Sequence, residues 1–155
     1  MPLDASPPPG GIDAPSPPPQ PGTCSTLQVD GAWIASVRVA SAPPAMTGGT
    51  VLEGTYKLVD WKTYSGTGGP SGPGGLSLKQ TVRFENGEFT HVTEVLSPSQ
   101  VQRGAATYSA SAENVTFVSS CTTSLGGTSV MKYTASPTGL MLLSMQGDWF
   151  ALTKL

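Results

Sequence analysis

Residues 76–96 read LSLKQTVRFENGEFTHVTEVL, and this stretch decides the fold class. In its first half, apolar Leu76, Leu78, Val82 and Phe84 alternate with polar neighbours, which is the period of a β-strand. Asn-Gly follows, at residues 86–87, and predicts a two-residue hairpin turn because both central residues of that turn need a positive φ. The stretch therefore predicts two antiparallel strands, over residues 76–84 and 89–96.

The same pattern continues along the chain after residue 50. Short stretches of β-branched, aromatic and aliphatic residues alternate with turns of Gly, Pro and polar residues, and no ten-residue segment shows a capped helical stripe. Tight turns make successive strands antiparallel neighbours. We therefore predict an all-β fold, an eight-stranded antiparallel up-and-down barrel, with a β-sandwich as the main alternative. The predicted strands are 51–64, 76–84, 89–96, 104–110, 115–121, 129–135, 140–145 and 149–155.

Composition divides the chain into three parts. Residues 1–23, MPLDASPPPGGIDAPSPPPQPGT, are more than half Pro and Gly and predict a disordered tether with little to bury. Residues 24–50 are mixed and predict an N-terminal extension that packs on the barrel, which itself spans 51–155. Within the barrel, residues 65–75 read SGTGGPSGPGG, a Gly-rich loop that is either functional or a tolerated insertion.

Charge excludes two classes of partner. The chain of 155 residues has a net charge of −2, only 12% charged residues and no basic run. This composition argues against nucleic acid and anionic membrane surfaces as partners. No apolar run is long enough to span a bilayer, so no transmembrane segment is expected.

The two cysteines, Cys24 and Cys121, form no CxxC pair. We predict a disulfide between them, with two separate buried thiols as the alternative. Such a bridge persists in an oxidising compartment, so we expect an exported protein of the periplasm or the outer-membrane surface. No signal peptide is visible, and the signal and a lipid anchor are expected upstream of this sequence.

Several short motifs carry a family resemblance. Gly48-Gly49-Thr50, Gly54-Thr55-Tyr56, Tyr133-Thr134-Ala135 before Leu140, and a terminal Leu152-Thr153 resemble hypothetical exported lipoproteins of myxobacteria, which join a tether to a lipocalin-like (calycin) domain. The resemblance covers residues 44–155 and implies a barrel and an exported location. Gly31-Ala32-Trp33 has the Gly-x-Trp spelling of a first lipocalin strand, yet it precedes the matching stretch. If it does begin a strand, the strand numbering shifts by one.

Catalytic chemistry is not predicted. His91 is the only histidine and is interpreted as a half-exposed strand residue, and no GxSxG nucleophile elbow is present. Glu85 and Glu88 flank a turn and are expected to be solvated. Asp60 lies within an apolar stretch, and three alternatives stay open: it faces solvent, it caps a bulge, or it places a charge in the barrel cavity. We predict no enzyme activity, no cofactor and no metal site.

Aromatic residues are the strongest binding signal. If alternation holds, one set points into the barrel, where it either lines a pocket for a small apolar or amphipathic ligand or fills the interior. The first hypothesis makes the chain a ligand-binding domain. The second makes it a structural or protein-interaction domain at the cell surface. The sequence specifies no oligomeric state. The candidate ligand-binding residues are Tyr56, Leu58, Phe84, Phe89, Tyr108, Phe117 and Leu142.

Overall fold

Nine β-strands form a single sheet in the computed structural model, which describes residues 24–122 and 127–155. The predicted tether, residues 1–23, lies outside the described residues. The eight predicted strands are all present, with ends shifted by a few residues. The strands are β1 (Ile34–Val39), β2 (Gly54–Tyr64), β3 (Gly72–Glu85), β4 (Glu88–Val95), β5 (Gln100–Ser111), β6 (Asn114–Thr122), β7 (Thr128–Ser136), β8 (Gly139–Leu143) and β9 (Asp148–Lys154).

The hairpin that joins β3 and β4 has the predicted turn. Asn86 and Gly87 both have positive φ, 51° and 77°. The register around them pairs Glu85 with Glu88 and Phe84 with Phe89. Because side chains alternate between the two faces of a strand, this register sends Phe84 and Phe89 to the same face of the sheet.

The sheet closes into a barrel. From β2 to β9 each strand pairs antiparallel with the next, and β9 returns to pair with β2 from Tyr56↔Lys154 to Thr63↔Asp148. The predicted all-β, mostly antiparallel barrel is confirmed, but it has nine strands rather than eight. Strand β1 is the addition: it pairs parallel with β2 and antiparallel with β3. It fills the gap that opens where β2 and β3 diverge beyond Lys57↔Thr81.

Strand β1 was not predicted, because it pairs in parallel with β2 across a long crossover and no hairpin turn marks that pairing in the sequence. Residues 40–53 make that crossover and connect β1 to β2. The strand begins directly after Gly31-Ala32-Trp33, so the strand numbering does shift by one. The Gly-rich loop is also shorter than predicted, spanning residues 65–71, since Pro73, Gly74 and Gly75 belong to β3.

A bulge in β2 decides which of its side chains enter the barrel. The register with β9 shifts between Leu58 and Asp60, so Tyr56, Leu58 and Trp61 all face inward and are buried. Asp60 follows the bulge on the outer surface. There it forms a 2.7 Å salt bridge with Lys62. Of the three possibilities raised by the sequence, Asp60 therefore faces solvent and does not place a charge in the cavity.

One end of the barrel is sealed by the crossover. We call it the closed end, where β2 begins and β3 ends; the opposite end, where β2 ends, is the open end. The Tyr56 hydroxyl donates to the Leu52 carbonyl and the Tyr133 hydroxyl donates to the Gly49 carbonyl, both at 2.6 Å. Gly48 passes so close to the β5–β6 turn, with φ +71°, that a side chain there would overlap the carbonyl of Ala112.

The crossover also covers part of the outer surface before it reaches the closed end. Met46 is buried there against Leu143 and Trp149, which lie on the outer face of β8 and β9. A backbone bridge fixes its path, since the Gly48 amide donates to the Tyr133 carbonyl and the Ala135 amide donates to the Gly48 carbonyl, each at 2.8 Å. The barrel thus has a second, smaller core outside its wall.

Residues 24–33, which we call the N-terminal strap, cross the outer face of β3 to β6. The Asp30 amide donates to Thr81 Oγ1 at 2.7 Å, and Arg103 Nη1 donates to the carbonyls of Ser25 and Leu27. The predicted disulfide between Cys24 and Cys121 is confirmed, with a Cα–Cα distance of 5.4 Å. It fastens the beginning of the strap to β6.

Removal of this disulfide should lower stability substantially. Its cysteines are 97 residues apart, and releasing a loop of that size costs about 4.7 kcal/mol in the chain-entropy model. We expect the Cys24→Ser/Cys121→Ser double variant to lose that order of unfolding free energy in urea denaturation monitored by circular dichroism. The wild-type protein kept fully reduced should reproduce the variant's curve. An unchanged unfolding midpoint in the double variant would contradict this role of the bridge.

Candidate ligand-binding cavity

The barrel interior is densely packed toward its closed end. Phe84 is fully buried at the centre of an aromatic cluster and contacts Tyr56 and Tyr108 edge-on, at centroid distances of 5.8 and 5.0 Å. It also contacts Phe89 at 5.1 Å, and Phe89 contacts Phe117 at 4.6 Å. Burial raises the pKa of the Tyr56 hydroxyl, with Tyr108 as a smaller cause, so Tyr56 stays neutral there.

Toward the open end the interior is hollow. A cavity of about 420 Å³ lies between strands β3 to β9, within the range of small-molecule sites. It exists because small residues occupy the inward positions of β5 to β7, where aromatic side chains would fill the space. Its lining comprises Gln80, Val82, Phe89, His91, Gly104, Ala105, Ala106, Phe117, Ser119, Cys121, Gly127, Thr128, Ser129, Met131, Leu142 and Phe150.

The seven candidate ligand-binding residues divide between these two halves. All seven belong to the main interior cluster or pack against it. Phe89, Phe117 and Leu142 line the cavity, whereas Tyr56, Leu58, Phe84 and Tyr108 belong to the packed half beneath it. The structure brings all seven together in one interior, and only the first three could contact a ligand in this cavity.

His91 is the principal residue that sequence analysis did not assign to this site. Its register partners Val82 and Gly104 lie inside the barrel, and its ring stands 5.6 Å from that of Phe89. Gly104 is what admits the imidazole, because a Cβ at that position would overlap the ring. The signal was present in the sequence, since His91 is two positions from inward-facing Phe89 and therefore shares its face.

The imidazole is half-buried and has no hydrogen-bond partner within the described ranges 24–122 and 127–155. Burial lowers its pKa below the ordinary value of 6.5, because desolvation disfavours the charged ring. His91 is therefore neutral at physiological pH. It offers one nitrogen donor and one nitrogen acceptor to the cavity.

Other polar groups lie near His91 on the side of the open end. Gln80 faces the cavity and donates from Nε2 to Thr93 Oγ1 at 3.0 Å. The register places this pair one inward position beyond His91 toward the open end. Ser119 adds a hydroxyl from β6. The polar groups thus form one side of the cavity, above an apolar floor of Phe89, Phe117 and Leu142.

The cavity wall is incomplete between β7 and β8. Strand β8 is short, and its pairing with β7 begins at Lys132↔Leu143, so residues 128–131 of β7 pair only with β6. An outer groove of about 540 Å³ lies beside this gap, between Val130 and the β8–β9 turn at Met145. Met131 lines both the groove and the cavity and therefore separates them.

The remaining residues considered from sequence lie away from the cavity. Glu85 and Glu88 are exposed at the closed end, on either side of the hairpin turn. In the part of the chain that the structure describes, no group of three His, Cys, Asp or Glu side chains could hold a metal ion. Nor does any helix there have the length and apolar character needed to cross a membrane.

Comparison with known proteins adds no relative. The chain matches no family model, no curated protein and no solved structure.

The lowered pKa of His91 makes a prediction about pH. The unfolded chain takes up the proton near pH 6.5 and the folded chain only at lower pH, so stability is complete above 6.5 and is lost as the pH falls toward the folded pKa. Because His91 is the only histidine, its ring resonances can be followed by NMR without assignment. We expect a titration midpoint below 6.5, and His91→Gln should remove this part of the pH dependence. A midpoint at or above 6.5 would contradict the buried position.

Proposed function

We propose that this chain is an exported, lipocalin-like domain that binds a small apolar or amphipathic ligand in the cavity at the open end of its barrel. The observation that carries the proposal is the hollow half of the interior. The cavity of about 420 Å³ opens to solvent at this end of the barrel, and its size is within the range of small-molecule sites. The lining combines apolar side chains with a few convergent polar groups, which is typical of small-ligand sites.

The alternative, a structural or protein-interaction domain with a filled interior, has support from the closed half of the barrel. There the cluster around Phe84 leaves no space for a ligand. The small residues Gly104, Ala106 and Ser119 favour binding, because larger side chains at these inward positions would have filled the other half as well. The packed half of the barrel therefore supports the structural alternative, and the half that contains the cavity supports ligand binding.

Export is supported by the disulfide. A bridge between Cys24 and Cys121 persists in oxidising compartments such as the periplasm and the cell surface. The Pro-rich composition of residues 1–23 suits a spacer between a membrane anchor and a folded head, as in the lipoproteins that the sequence resembles. The lipocalin-like assignment is supported by the closed antiparallel barrel with its ligand-sized interior.

Filling the cavity should abolish binding. We expect the wild-type protein to bind the neutral apolar dye N-phenyl-1-naphthylamine with saturable, one-to-one fluorescence enhancement, because the dye leaves water for an apolar cavity. Ser119→Phe places a ring in the cavity from β6 and should weaken dye binding at least about tenfold, a loss of about 1.4 kcal/mol. Near-UV circular dichroism checks that each variant is folded.

The matched control for this variant is Val118→Phe. Val118 is the preceding residue of the same strand, 48% exposed on the outer face, so the same ring there leaves the cavity unchanged. Its dye affinity should equal that of the wild type. The proposed function fails if the folded wild-type protein does not bind the dye, or if Ser119→Phe and Val118→Phe bind it equally well.

A further inference from the structure

We propose that the cavity selects uncharged amphipathic ligands that carry a hydrogen-bonding head group, and that His91 is the specificity-determining residue. This inference rests on the proposed function and names its ligand class. The head group, a hydroxyl or carbonyl, lies against His91 and Gln80. The apolar part lies on the floor formed by Phe89, Phe117 and Leu142.

Charge is the first argument. The lining of the cavity contains no Asp, Glu, Lys or Arg side chain within the described residues, and Cys121 is held in the disulfide and does not titrate. A charged ligand group that enters such a site leaves water without meeting an opposite charge, which is costly. The cavity therefore disfavours carboxylates, sulfonates and ammonium groups while His91 is neutral.

Charged side chains on the surrounding strands point away from His91. Glu88 and Glu94 of β4 occupy the alternate, outward positions, as do Lys79 and Arg83 of β3. On the outer face, Lys79 stands over the ring of Trp33 at 4.6 Å.

The charged groups of the other strands are held elsewhere as well. Arg103 of β5 donates to carbonyls of the N-terminal strap. Asp148 occupies an inward-facing position of β9. Its carboxylate accepts a 2.8 Å hydrogen bond from the Thr63 hydroxyl, and it is not part of the cavity lining. Lys132 of β7 lies on the outer face of its strand, one position beyond Met131.

Hydrogen-bonding capacity is the second argument. The imidazole of His91 has no partner among the described residues, although it is half-buried and packed against Gly104. Its nitrogens are not among the buried atoms that lack a hydrogen-bond partner, so water reaches them in the cavity. A ligand that displaces this water loses binding free energy unless its own polar group bonds to the imidazole. A hydroxyl suits a neutral imidazole in particular, because it can donate to one nitrogen or accept from the other.

The order of groups along the barrel is the third argument. Inward positions of β4 run from Phe89, at the aromatic floor, through His91 to Thr93 nearer the open end. A ligand entering from the open end with its apolar part first would therefore bring its head group level with His91 and Gln80. This separation of apolar and polar lining fits an amphipathic molecule better than a purely apolar one.

The test compares two ligands that differ only in their head group. 1-Octanol and octane-1-sulfonate carry the same alkyl chain, and the sulfonate stays charged at every pH used. Each is titrated against bound N-phenyl-1-naphthylamine on the wild-type protein, the His91→Gln variant and the His91→Leu variant. Near-UV circular dichroism confirms folding throughout.

At about pH 8 we expect 1-octanol to displace the dye from the wild-type protein at roughly tenfold lower concentration than the sulfonate. As the pH falls through the lowered pKa of His91, the sulfonate should gain affinity, because the protonated imidazole then pairs with it. His91→Gln should keep the preference for octanol and lose this gain. His91→Leu should weaken octanol binding several-fold relative to dye binding, because the leucine side chain cannot form a hydrogen bond with the hydroxyl.

Equal displacement by the two ligands at pH 8 overturns the inference, as does an unchanged octanol-to-dye affinity ratio in folded His91→Leu. Both results leave the proposed function standing, because the dye itself still binds. If His91→Leu does not fold, the pH profile of the sulfonate on the wild type and on His91→Gln decides. If the dye does not bind the wild-type protein, the proposed function and this inference fail together.

Discussion

The pairing of β9 with β2 is the interaction on which the rest of the structure depends. It joins the last strand of the chain to the first strand of the barrel ring over the full length from Tyr56 to Thr63. Closure pairs most of the strand edges and creates an inside and an outside. That division determines which aromatic residues are buried, which side chains of β2 point inward across the bulge after Leu58, and where the cavity lies.

The segments before β2 other than β1 serve this barrel from outside. The strap covers β3 to β6 and is fixed by the disulfide, while the crossover covers β8 and β9 through Met46 and then seals the closed end. Because these segments occupy the outer wall and one end, the opposite end and the gap beside β7 are the two places where the interior approaches solvent. The cavity therefore opens at the end of the barrel that the strap and the crossover leave uncovered.

Local signals carried most of the fold prediction. The Asn86-Gly87 turn and period-two alternation act over a few residues, so the strands from β2 to β9 could be predicted from sequence. Strand β1 could not, because its parallel pairing with β2 depends on a crossover whose path is set by contacts with Tyr133 and Trp149, far away in sequence. The barrel therefore contains one strand more than the eight that were predicted from the sequence.

The site was predictable only in part for a related reason. Alternation identified which side chains point inward, yet whether they fill the interior depends on what stands opposite them. Phe84 meets aromatic rings, whereas His91 meets Gly104, and only the register reveals that difference. Asp60 shows the converse case, since a bulge reverses the alternation that sequence reasoning assumes.

The central claim is that the barrel is filled at one end and hollow at the other. A crystal structure determined under xenon pressure tests it most directly, because xenon enters apolar cavities without needing a specific ligand. We predict a xenon atom in contact with Phe89, Phe117 and Leu142, and none in the cluster around Phe84. A well-ordered structure without xenon at the first position, with other side chains filling the space above Phe89 and Phe117, would contradict the account.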